Sequence, residues 1–258
     1  MAMKLYSDIS VQAIADSIRD LENKLNNVGY TRIEYIASNG SQYIDMGFKA
    51  NQDTKILLDY QQTEVFTSAK WFFGSRYSAA SRAYGFLVGS DQNYATPYNK
   101  GSGSSTFYVD GGTLTNDTNR HVMIKQRLND ESTKMGTFDG KDILAYGTLR
   151  NQTVYESFET PTNVTLFNGA QPSSYLAGAI TKIFECKVWK DGTILTRDFV
   201  PVKRNTDNEV GMYDLVNNVF YANQGTGTFT GGEEYPKYKI GEMANAISEI
   251  ANKISNSN

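Results

Sequence analysis

The side chains able to do chemistry are few. His121 and Cys186 are the sole histidine and cysteine in 258 residues, which excludes a multi-ligand His/Cys zinc site and an internal disulfide. A retaining glycosidase on a sandwich fold needs two carboxylates about 5–5.5 Å apart across the sugar, and neither E-x-D-x-E nor E-x-D-x-x-E occurs. The nearest acidic cluster, Asp130-Glu131, falls in an apparent turn and is expected to face solvent. His121 opens a strand with no nucleophile pattern beside it and reads as a satisfied structural histidine. Cys186 alternates with Phe184 and Val188 and reads as core. The glycine-rich GTGTFTGG at 225–232 is followed by no Lys-Ser/Thr pair and opens no helix, so it reads as a closing β-turn and not a phosphate loop. G-x-S-x-G is absent.

Binding chemistry is better supplied. Aromatic faces stack on pyranose rings, while Asn, Asp, Arg and Gln hydrogen-bond hydroxyls. The loop-rich stretch 76–99 offers Arg76, Tyr77, Arg82, Tyr84, Asp91, Gln92, Asn93, Tyr94, Tyr98 and Asn99; packing of these tyrosines at sheet edges is the alternative. Asp91 or Asp110 belongs to no spaced oxygen-ligand motif, so neither metal nor cofactor is expected.

These residues must be positioned by a β-rich body. The chain carries 17 Tyr, 13 Phe and 2 Trp with 22 Gly and 5 Pro, a composition that favours strands and turns. Its net charge of −3 argues against a protein that coats nucleic acid. The first ten residues lack the apolar core of a secretory signal, and no apolar run approaches the ~20 residues of a membrane span. Synthesis in a cytoplasm without a signal peptide is the expectation. The four N-x-[ST] sequons, at Asn39, Asn116, Asn151 and Asn163, are what a chain rich in Asn, Ser and Thr yields by chance.

Aromatics divide the chain into three parts, since all but Tyr6 and Tyr238 lie between Tyr30 and Tyr235. Residues 1–28 form an N-terminal amphipathic segment: Val11, Ile14, Ile18, Leu21, Leu25 and Val28 follow a 3-4-3-4-3 spacing, with Ser7 and Asp8 as candidate caps and Gly29 as the stop. Residues 235–258 repeat the pattern at Ile240, Met243, Ile247, Ile250 and Ile254 after Pro236. Helices this short need partners. Either each covers the β domain, or the narrow seams pack helix on helix and form an oligomer, with isoleucine at both core positions favouring a trimer.

Residues 29–234 read as strands and turns. Expected strands are 31–37, 42–48, 55–60, 71–74, 84–88, 106–109, 121–128, 134–138, 164–167, 182–189, 193–200 and 219–221, with turns at Asn39-Gly40, Asp110-Gly111-Gly112, Asp139-Gly140 and Asp191-Gly192. The pair around Asp191-Gly192 is the clearest hairpin. So many strands without an internal helix imply a mainly β, two-sheet antiparallel jelly-roll sandwich with one α-helix at each terminus. Segments 78–81 and 99–105 read as loops.

Three stretches, GYTRIEYIASNGSQYIDMGFKANQDTKILLDYQ, FFGSR at 72–76, and KIFECKVWKDGTILTRDFVPVKRNTDNEVGMYDLVNNVFYANQGTGTFTGG, resemble the concanavalin A-like, laminin-G-like domain of phage and prophage structural proteins. The closing segment, with its Gly211-Met212-Tyr213-Asp214 turn, carries the resemblance best. DISVQAIADSIRD and YKIGEMANAISEI resemble two halves of a helical unit found in phage tail and fibre proteins. A sandwich inserted between those halves would bring the two helices together as an antiparallel pair, provided the domain's ends lie close.

The resemblance implies a non-enzymatic virion protein, a tail fibre or capsid appendage, that displays a lectin-like sandwich for adhesion to cell-surface or mucosal glycans. Its partners would be copies of itself and other virion proteins, with no nucleic acid and no membrane insertion. It would be made in the bacterial host cytoplasm. A non-binding cement protein and a polysaccharide depolymerase are the alternatives.

Overall fold

A computed structural model describes residues 7–78, 81–88, 95–100, 106–110, 116–126, 136–146, 148–150 and 157–235. The described residues form two β-sheets with one α-helix, Ser7–Asn27, and a single 3-10 turn, Ile143–Tyr146. The large sheet runs in the order Lys141–Asp142, Gly136–Phe138, Arg120–Lys125, Lys55–Gln62, Ile180–Lys190, Ile194–Arg204, Val210–Asp214 and Val219–Tyr221; Tyr30–Arg32 and Ile36–Asn39 pair on it off that path. The second sheet runs Thr148–Arg150, Thr106–Asp110, Ala95–Lys100, Ser81–Val88, Lys70–Ser78, Thr165–Leu166 and Ile44–Asp45. Pairing is antiparallel except where Gly169–Gln171 meets Lys70–Ser78 in parallel at Ala170 and Ser75, and where Trp71 bridges Gly178.

One apolar core is shared by both sheets. Period-two strands supply it: Ile56, Leu58 and Tyr60 from one sheet meet Phe73, Tyr84, Phe86 and Val88 from the other, all essentially unexposed. Tyr60 crosses the interface, with its ring centroid 4.6 Å from Phe72 and 5.6 Å from Phe86.

Two of the expected Asp-Gly turns form; the third, Asp110-Gly111-Gly112, runs outside the described residues. Asp139 and Gly140 have φ of 48° and 77°, and Asp191 and Gly192 have 50° and 70°, the two positive values that a type I′ hairpin requires. Cys186 is core, but its neighbour is not placed by simple alternation. A register shift between Ile183 and Glu185 puts Ile183 with Cys186 and Val188 in the core, and turns Phe184 onto the outer face against Tyr35 and Arg120.

Three other readings change. The expected Gly211–Asp214 turn is the strand Val210–Asp214, and the turn is Leu215–Asn218. Glycine serves close approach there, since a Cβ on Gly211 would stand 2.5 Å from the Tyr221 carbonyl oxygen. The single expected strand 31–37 is two, Tyr30–Arg32 and Ile36–Asn39, on different neighbours. Much of the expected loop stretch 76–99 is the meander Lys70–Ser78, Ser81–Val88 and Ala95–Lys100. Pro97 is tolerated in its last strand because the following strand pairs only with Asn99 and Lys100.

The helix ends as its sequence specifies, with Gly29 at φ 88° and its N–H on the Asn26 carbonyl. Its last turns lie on the chain's own sheet: Leu25 is fully buried with Val200, Val202 and Tyr213, and Leu21 packs on the same cluster. At Leu25 the seam expected to meet another helix is therefore a helix-on-sheet contact. Val11, Ile14 and Ile18 fall on the same helix, while Ile240, Met243, Ile247, Ile250 and Ile254 lie outside the described residues.

The two ends of the β body meet. The Tyr235 N–H donates to the Arg32 carbonyl at 3.0 Å, the Glu34 N–H donates to Glu233 at 2.9 Å, and Lys203 pairs with Glu234.

Candidate functional site

The residues expected to bind do not form one site. Tyr84 is 1% exposed, donates its hydroxyl to the Thr54 carbonyl at 2.7 Å and carries Lys125 Nζ over its ring at 4.0 Å. It belongs to the core, and the signal was its period-two spacing with Phe86 and Val88. Arg76 lies 5.5 Å from the Trp71 ring, which rests flat on glycines: a Cβ at Gly74 or Gly85 would stand 2.6 or 2.5 Å from the indole. Tyr77 is exposed, with Arg82 over its ring. Tyr98 and Asn99 lie in the strand beside Gly85 and Tyr84. Asp91, Asn93 and Tyr94 fall outside the described residues.

Two features were missed. The first is a cavity of about 490 Å³ between the 207–210 segment and the 223–229 loop, with Phe229 in its lining. Its acidic wall is partly neutralised: Arg204 holds Asp207 in a bidentate pair and also reaches Glu209. The guanidinium bonds, then the Glu209 N–H, hold the Asp207 carboxyl below its ordinary range. Asn223 fills the other side, accepting from the N–H groups of Tyr43 and Gly225 and donating to the Gly227 carbonyl.

The second is an aromatic pair one hydrogen bond away. Tyr43 and Asp45 alternate with the buried Ile44 and Met46 and so face outward. The Tyr43 ring lies 4.3 Å from that of Tyr175, which the hairpin Gly169–Gln171/Ser174–Leu176 presents 55% exposed. Partial burial, the hydrogen bond with Tyr175 and the charges of Tyr175 and Asp45 push the Tyr43 phenol up to about 12. Asp45 accepts from the Gly47 N–H at 2.8 Å and the Asn163 amide at 3.2 Å. The signal available in the sequence was a polar-apolar alternation across 42–48, which was read for strand and not for surface.

His121 sits between two carboxylates, Nδ1 2.8 Å from Asp139 and Nε2 2.9 Å from Asp117, with its ring 4.7 Å from Phe138. Carboxylates only accept, so both contacts are hydrogen bonds when the ring carries two protons. At 6% exposure His121 braces the Asp139 turn against the 117–119 segment. Among the described residues no three His, Cys, Asp or Glu side chains gather as a metal site, and no helix is long and apolar enough to cross a membrane.

Tyr60 and Tyr84 supply a pH dependence. Burial raises both phenols well above 10, so the unfolded chain releases these protons first. The stability they contribute is complete below pH 10 and is lost as pH rises beyond it. In an alkaline titration, phenolate absorbance from these two is expected to appear in the same cooperative step as loss of β circular dichroism. Gradual ionisation of every tyrosine with the β signal intact would contradict this.

The class these features define is a mainly β, two-sheet protein with an N-terminal helix docked on one sheet and an outward-facing tyrosine pair on the other. No known family profile matches the chain, and a search of curated proteins returns no match.

Proposed function

We propose that this chain is a phage virion protein, a tail fibre or capsid appendage, whose laminin-G-like jelly-roll sandwich adheres to cell-surface or mucosal glycans. The observation that supports it is the meeting of the domain's ends at Arg32 and Tyr235. A β body entered and left at neighbouring rungs suits insertion into another unit, the geometry this reading needs. In this reading the segments 1–28 and 235–258 assemble the chain with copies of itself, a trimer favoured, and with other virion proteins, while Leu21 and Leu25 keep the last turns of the first helix on the sheet. Weak single-site sugar binding becomes effective through that multiplicity.

Native mass measurement of the full chain, paired with binding to immobilised bacterial and mucosal glycans, tests the reading. An oligomer that binds glycan at high surface density is the expected result. A monomer would overturn oligomeric display, and an oligomer binding no glycan would overturn adhesion.

A further inference from the structure

We infer that the Tyr43–Tyr175 pair with Asp45 and Asn163 is a contact site for a neutral hexopyranose, taken by its apolar C–H face; this rests on the glycan-adhesion reading and names its site and sugar class. The carrying observation is an exposed aromatic surface held in place outside the main core. Tyr175 is 55% exposed on a two-strand hairpin, outside the main core, yet its ring is fixed against Tyr43 at 4.3 Å and 34°. A fixed ring loses little conformational freedom on binding. Aromatic faces take the C–H side of a pyranose and leave the sugar's hydroxyl edge to polar neighbours.

Those neighbours are present and select by charge. Asp45 stands two residues from Tyr43 on the same outward face and is close enough to act on its phenol. The carboxylate has about four acceptor positions, of which the Gly47 N–H and the Asn163 amide take two. The rest can accept from sugar hydroxyls. The same negative charge opposes a sialic or uronic acid in this position, so the site takes neutral hexoses in preference to acidic sugars. Asn163 is held by its bond to Asp45, and Asp45 by the backbone of Gly47, so the polar side of the site is as fixed as the aromatic side.

The test is an array of neutral hexopyranosides and their sialylated counterparts, probed with the full chain and with Tyr175→Ala and Tyr175→Phe. The wild type is expected to bind neutral glycans over sialylated ones. Tyr175→Ala is expected to weaken apparent affinity about tenfold or more and Tyr175→Phe by less than about threefold, the stacked face being kept. The side chain is half exposed, so both variants should stay folded, with thermal unfolding lowered by no more than the loss of one aromatic pair. Neutral binding that survives Tyr175→Ala, or a preference for sialylated glycans, overturns the assignment while adhesion itself stands. Absence of binding to every glycan by the wild type overturns both.

Discussion

Asp214→Ala is expected to destabilise the fold by about 3–5 kcal/mol, the cost of uncovering a buried charge by deleting its partner. Asp214 has no exposed surface, and its carboxylate organises four groups. Oδ1 accepts from the N–H groups of Asp198 and Val216, each at 3.0 Å; Oδ2 accepts from Asn217 at 2.6 Å and lies 3.6 Å from Arg197 Nε. Arg197 in turn reaches across to the second sheet's edge, donating to the carbonyls of Met46 and Gly47. Alanine would leave two amides and a mostly buried guanidinium with lost partners. Asparagine keeps an acceptor and should cost about 1–3 kcal/mol. Urea midpoints with an unchanged slope would measure both, and an alanine variant within about 1 kcal/mol of wild type would show that the hub is not structural. The Arg197 clamp fixes the residues directly after Asp45, so under the sugar-contact assignment proposed above, glycan binding should weaken along with stability in the alanine variant.

Phe86→Ala should cost a similar ~3–5 kcal/mol by a different route, lost burial plus a cavity. The Phe86 ring stacks on Phe72 at 4.8 Å and meets Tyr60 edge-on at 5.6 Å and Phe73 at 6.2 Å, so it touches residues of both sheets. Phe86→Leu refills part of the space and should cost about 1–2 kcal/mol. Combining Phe72→Ala with Phe86→Ala should cost less than the two separately, because the second deletion enlarges a void already made. Strict additivity would mean that the stacked pair does not act as a unit.

Local signals were legible wherever one short motif determines the geometry. Asp139-Gly140 and Asp191-Gly192 announce their turns because few other dipeptides take two positive φ angles in succession. The strand Ile180–Lys190 and its partner were visible for the same reason. Illegible features depended on distant chain. Nothing near Phe184 signals the bulge that turns it outward, and Gly211 looks like a turn until the Tyr221 carbonyl is seen lying against it. Leu25 fits a coiled-coil seam and a helix-on-sheet contact equally well, and only the apolar outer face of Val200, Val202 and Tyr213 decides between them. For the binding surface, composition drew attention to the richest cluster of tyrosines, near 76–99. It passed over Tyr43 and Tyr175, which are 132 positions apart and share a surface only after the second sheet has formed.

The meeting of the chain's ends also has a mechanical meaning. Tension that draws residues 29 and 235 apart acts on the rungs of Arg32 with Tyr235 and Glu34 with Glu233, and on the ladder that holds Tyr30–Arg32 to residues 202–204, opening them one after another as a zipper. The shared core between the sheets is not sheared by such a load until those rungs have gone.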